Sequence, residues 1–128
     1  NYMGLMVFSN NQDFIKRMSN KVDNLKQLFH LILDSDLKEN DKNSIKNETD
    51  FNDFQIRNIN HVDGASKNEI GLELSIKQVK DIEDLFLKYN YKVISIDRVL
   101  YSNLSKKDLP RGKWRHFKKQ ELINLQAF

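Results

Sequence analysis

Polar and apolar positions recur with two different periods along this chain, and the switches between them mark out its predicted elements. Across residues 11 to 34, Ile15, Met18, Val22, Leu25, Phe29 and Ile32 are spaced 3, 4, 3, 4 and 3 apart, the apolar stripe of an amphipathic helix. Ser9, Asn10 or Asn11 can cap its start, and Asp13 suits the positive end of the helix dipole. The stripe has the a/d character of a coiled coil, so a homodimer formed through helix 11–34 stands beside packing within the chain. Residues 35 to 50 then lose all periodicity and most apolar side chains, which predicts a flexible acidic loop.

Period two takes over after that loop. In residues 54 to 61 Phe54 and Ile56 alternate with Gln55 and Arg57, and in residues 70 to 76 Ile70, Leu72, Leu74 and Ile76 alternate with polar or small neighbours. Both stretches predict strands, joined as an antiparallel hairpin around the Asp63-Gly64 turn. From Lys77 onward Val79, Ile82, Leu85, Phe86 and Tyr89 return to the helical period, with Ser75 as a cap and Asn90 at the left-handed position that ends the helix. Residues 91 to 101 are rich in β-branched side chains and predict a third strand, which makes the strand, helix and strand a right-handed crossover unit. Beyond the loop 102–112 the period leaves two readings open: an edge strand 113–119 followed by a helix 120–128, or one helix carrying Trp114, Phe117, Leu122, Leu125 and Phe128.

These elements give an α+β fold, one small domain over residues 1–128 in the order α-β-β-α-β-(β/α), with helices packed on one face of a small, mostly antiparallel sheet. A chain of 128 residues can bury a core without staples, and it has no cysteine, which removes disulfides, thiolate nucleophiles and Cys-based zinc sites from consideration. No apolar run approaches a membrane span or a secretory leader, so the expectation is a soluble, cytoplasmic protein with no membrane contact.

Charge changes the picture more than composition does. The net +3 is divided: residues 102–119 hold seven Lys or Arg against Asp108, a net of +6, which leaves 3 − 6 = −3 for the rest of the chain. Within this basic segment Trp114, His116 and Phe117 are interleaved with the cations. Cations neutralise phosphates and planar side chains stack on unpaired bases, so Lys106, Lys107, Arg111, Lys113, Trp114, Arg115, Lys118 and Lys119 form the candidate surface for nucleic acid or another acidic partner. The structural alternative places Trp114 and Phe117 in the core with the cations solvated around them. If the segment is extended, both hold at once, because Lys113, Arg115 and Phe117 then face away from Trp114, His116 and Lys118.

Signatures of catalysis are sparse. His30, His61 and His116 have no metal-ligand spacing, and neither a glycine-rich phosphate loop nor a nucleophile elbow is present. No catalytic residue, cofactor or metal is therefore assigned. Glu73 and Asp97, with Lys77 nearby, are the residues a metal-dependent nuclease would use on a sheet.

The strand Phe54-Gln55-Ile56-Arg57-Asn58-Ile59-Asn60-His61 follows an aromatic-x-Ile-Arg-x-x-Asn-His pattern. In this it resembles small phage-encoded anti-CRISPR proteins that inhibit type II effector nucleases. The resemblance implies a protein that binds a nucleic-acid-processing machine rather than catalyses, with Arg57, Asn60 and His61 ordering a loop or touching the partner. That family carries its cations on an N-terminal tail, whereas this chain carries them near its C-terminal end. The functional expectation is a non-enzymatic phage or mobile-element accessory protein that binds nucleic acid or modulates a nucleoprotein complex. The alternatives are an assembly module dimerising through helix 11–34 and a metal-dependent nuclease.

Overall fold

The computed structural model describes residues 2–21, 25–48, 56–102 and 104–126. In chain order these form β1 (Tyr2–Gly4), α1 (Gln12–Lys21), β2 (Gln27–Leu33), α2 (Glu39–Lys46), β3 (Ile56–His61), β4 (Glu69–Leu74), α3 (Lys80–Lys88), β5 (Val93–Tyr101), β6 (Leu104–Ser105), a short 3-10 turn (Lys106–Asp108) and α4 (Lys119–Gln126). The sheet runs β1-β5-β2-β4-β3, with β6 attached to β5. Among the described residues the β1–β5 pairing is parallel and the others are antiparallel. The fold is α+β in one small domain, as the alternating periods predict.

Several elements depart from expectation, among them β1, which no period announces, and β6 with its 3-10 turn, which together fall within the predicted loop 102–112. The single helix 11–34 is not formed: α1 ends at Lys21, Val22 lies outside the described residues, and residues 27–33 are the central strand β2. Gln27, Phe29, Leu31 and Leu33 point inward there, with Leu28, His30 and Ile32 half-buried between them. A dimer through that helix therefore has no helix to use. The acidic stretch read as a loop carries α2, anchored by the fully buried Ile45 and by Leu37 just before it. Residues 113–118 form neither strand nor helix, and the terminal helix starts at Lys119.

The predicted hairpin is present as β3 and β4, paired from Ile56↔Leu74 to His61↔Ile70. Phe54 and Gln55 lie outside the described residues. Asn90 ends α3 with φ 67°, as its short side chain permits. Ser75 does not cap α3; Val79 occupies that position without a side-chain bond. The crossover from β4 through α3 to β5 does join parallel strands, but β2 is inserted between them and is antiparallel to both.

Two cores result. The larger lies on one face of the sheet, where Phe29, Leu31, Ile70 and Leu72 meet Ile45 of α2 and Ile82, Leu85 and Phe86 of α3. The smaller joins Phe14 of α1 and Leu125 of α4 to Leu25 and Leu104, with Phe117 packed against them. The other face of the central strands is mixed, carrying half-buried Leu28 and Ile32 together with the pairs His30–Glu69 at 3.1 Å and Lys26–Glu73 at 2.9 Å. Among the described residues no helix is long and apolar enough to cross a membrane.

Candidate functional site

After β6 the chain turns sharply twice. The Ser105 hydroxyl accepts a hydrogen bond from the Lys107 amide and starts the 3-10 turn. A second turn follows, in which the Lys113 amide donates to the Pro110 carbonyl and Gly112 takes φ 77°, a conformation that suits glycine. Residues 113–118 then run back past β1 and Leu5–Phe8. Between the two segments lies a groove of about 950 Å³.

Alternation along this non-strand segment sorts the aromatics as an extended chain would. Phe117 points inward and packs against Phe14, with ring centres 6.3 Å apart and tilted by 49°. Trp114 points outward and is 78% exposed, braced edge-on by His116 at 5.4 Å. The reading of Trp114 as core is thus corrected, whereas Phe117 is half-buried against the smaller core. Met6 and Phe8, 69% and 78% exposed, form the facing apolar wall.

The predicted cations divide by engagement. Lys106 is ion-paired with Asp97 on the groove floor. Arg115 makes a two-point contact with Glu121, both distances 2.7 Å, and the Lys118 amide donates to the same carboxylate. Held by Arg115 first and by that amide second, the Glu121 carboxyl drops to about 2. This fork ties the segment to the first turn of α4. Lys107, Arg111, Lys113, Lys118 and Lys119 form no ion pair among the described residues, and Arg111 donates from Nη2 to the Met3 sulfur at 3.6 Å. Arg111 and Lys113 line the groove.

The residues carried over from the strand pattern lie elsewhere. His61 donates to the Leu37 carbonyl at 3.0 Å and so holds the approach to α2, while Arg57 and Asn60 are exposed on β3. Glu73 and Asp97, the proposed nuclease pair, sit on strands separated by β2, each bound to its own lysine. Among the described residues no three His, Asp or Glu side chains are grouped to hold a metal. The nuclease reading therefore has no metal cluster to use among the described residues.

A second concavity, about 510 Å³, opens between α1, the end of β5 and the chain entering α3; Phe14, Ile15, Met18, Lys77 and Tyr101 line it. Beside it lies a cluster that the sequence reading missed. Arg98 donates from Nε and Nη2 to the Leu5 carbonyl, at 2.9 and 2.5 Å, and from Nη1 to Gln27 Oε1 at 3.4 Å. Its guanidinium lies 4.6 Å from the Tyr101 ring centre. Burial pulls the Arg98 guanidinium below its ordinary value and raises the Tyr101 phenol. Buried Gln27 in turn donates to the Ile76 carbonyl at 2.9 Å. The one visible cue was a cation in the middle of an apolar strand, VISIDRVLY.

No protein-family model and no curated protein matches the chain. Among solved structures it is similar to one described as the crystal structure of a pseudouridylate synthase, with a TM-score of 0.75 and 14% identity over 95% of this chain and 54% of that one. The chain thus spans about half the length of that enzyme. The likeness corrects the expectation of a non-enzymatic phage or mobile-element accessory protein: this α+β architecture is one that an enzyme uses.

Proposed function

We propose that this chain is part of an RNA-modifying enzyme of the pseudouridylate synthase type, and that its basic-aromatic groove holds the RNA. The observation that carries the reading is the fold match, which takes in nearly the whole chain. The groove supports it independently, because it presents Arg111 and Lys113 beside an exposed indole. Cations there would neutralise backbone phosphates, and Trp114 would stack on a base that is out of its helix. An unpaired stretch of RNA suits this surface better than a duplex, whose bases are already stacked. Asp97, a carboxylate lining the groove, pairs with Lys106 through Oδ2, while its buried Oδ1 has no hydrogen-bond partner among the described residues. The reading assigns Arg111, Lys113 and Trp114 the holding of RNA.

Two measurements test it. Fluorescence anisotropy against single-stranded RNA, duplex RNA and duplex DNA should show single-stranded RNA bound tightest. Between about 50 and about 200 mM salt its affinity should fall roughly thirtyfold if three or four phosphates are contacted. Equal binding of single-stranded RNA and duplex DNA would sink the RNA assignment. Mapping pseudouridine in cellular RNA with and without the gene tests the enzyme assignment, which an unchanged map would overturn.

A further inference from the structure

The groove sets an oxidisable sulfur against one of its cations. Met3 and Met6 line it, 39% and 69% exposed, whereas Met18, the third methionine, is half-buried against the smaller core. Met3 is presented from a fixed backbone, since β1 pairs with β5 in the register Met3↔Asp97 and Gly4 closes on Arg98. Arg111, brought round by the turn at Pro110, donates from Nη2 to the Met3 sulfur at 3.6 Å. It is exposed and forms no ion pair among the described residues; Asp97, opposite Met3, bonds Lys106 instead. A thioether is a weak acceptor, so this contact leaves the guanidinium open to an anion. A leucine would fill the same wall and offer no acceptor at all.

Oxidation inverts that balance. The Met3 sulfur lone pair attacks one oxygen of hydrogen peroxide; the S–O bond forms as the O–O bond breaks, and the proton on the transferred oxygen passes to the departing hydroxide. The thioether is oxidised to the sulfoxide and the peroxide is reduced to water. The new oxygen is a polar acceptor borne by the very atom that Arg111 already touches, and a hydrogen bond to it from a charged donor is stronger than one between neutral groups. From this geometry we infer that Met3 is a redox-modification site, whose sulfoxide captures Arg111 and withdraws that cation from the anion the groove holds. Enzymatic reduction of the sulfoxide makes the capture reversible. That the anion is RNA rests on the function proposed above, whereas the capture of Arg111 does not. Met6 is the more exposed of the two groove methionines, but the Arg111 bond is to Met3, so Met6 serves as the internal comparison.

Graded hydrogen peroxide followed by peptide mass spectrometry should oxidise Met3 and Met6 ahead of Met18. Nitrogen-15 NMR of the Arg111 side chain, assigned with Arg111→Lys, should show its Nε–H signal shifted and its exchange with water slowed once Met3 is oxidised. Met3→Leu, a volume-conserving change whose folding circular dichroism verifies, should show neither response, and Met6→Leu should retain both. In anisotropy on single-stranded RNA, oxidation should lower the affinity of the wild type about fivefold at about 0.1 M salt, the electrostatic worth of one phosphate contact. Methionine sulfoxide reductases should restore it. An Arg111 signal that peroxide leaves unchanged, or a loss of affinity as large in Met3→Leu as in the wild type, would overturn the inference. If the unoxidised protein binds no RNA, the groove reading falls and the Arg111 signal alone decides the capture.

Discussion

Trp114 and Gly4 mark two extremes of what one residue does here. Trp114 buries little within its own chain, so Trp114→Ala should shift the melting temperature by no more than about 2 °C, in keeping with surface substitutions that change stability by roughly 0.5 kcal/mol or less. Its cost should fall on RNA affinity, about tenfold or more for one lost base stack, read by anisotropy. Gly4 is the reverse case. It takes φ 102° opposite Arg98, and an added Cβ would stand 2.2 Å from the Arg98 carbonyl oxygen. Gly4→Ala should therefore cost at least about 1–3 kcal/mol in chemical denaturation, because both the backbone conformation and the contact are refused. The cations of the groove were legible as residues, since charge is written in the sequence. Their division into ion-paired and available was not, because it depends on Glu121 and Asp97 arriving from other elements.

At the scale of elements, β2 shows why the longest helical stripe in the sequence misled. QLFHLIL is apolar on both sides, so Leu25, Phe29 and Ile32 satisfy a helical spacing while Phe29, Leu31 and Leu33 satisfy an alternating one. Central strands covered on one face and half-covered on the other produce this ambiguity, and only pairing with β4 and β5 resolves it. The hairpin and α3 were legible because each has one clean period and a local turn residue. α2 was hidden by its composition; a single turn-to-core anchor, Ile45, decides it. Ile45→Ala should cost about 2–5 kcal/mol by urea denaturation, whereas replacement of an exposed α2 residue should be nearly neutral. The junction of the basic segment with α4 carries a pH dependence. The carboxyl of Glu121 is held below its ordinary value, so its contribution is complete above about 4.5 and is lost as pH falls to about 2. Thermal melts over that window should show a smaller loss of stability toward the acid end in Glu121→Gln than in the wild type.

For the whole molecule, the division of charge read from the sequence acquires a place: the basic segment is one wall of a groove whose other wall is apolar. Neutralising Arg111 and Lys113 together should reduce the slope of log affinity against log salt by about 1.4, or about 0.7 per lost phosphate contact on a single strand, with little change in melting temperature. The fold class was within reach of the alternating periods, but the strand order was not. Nothing local announces that β2 belongs between two strands that follow it by 36 residues or more, counted from Leu33 to Glu69. That order bears on how the protein is born. The central strand leaves the ribosome well before either of its neighbours, and the last of them, β5, is complete only at Tyr101. At about 5–20 residues per second, the apolar QLFHLIL stretch waits on the order of several seconds without its partners. During translation this segment is where a chaperone would be needed most.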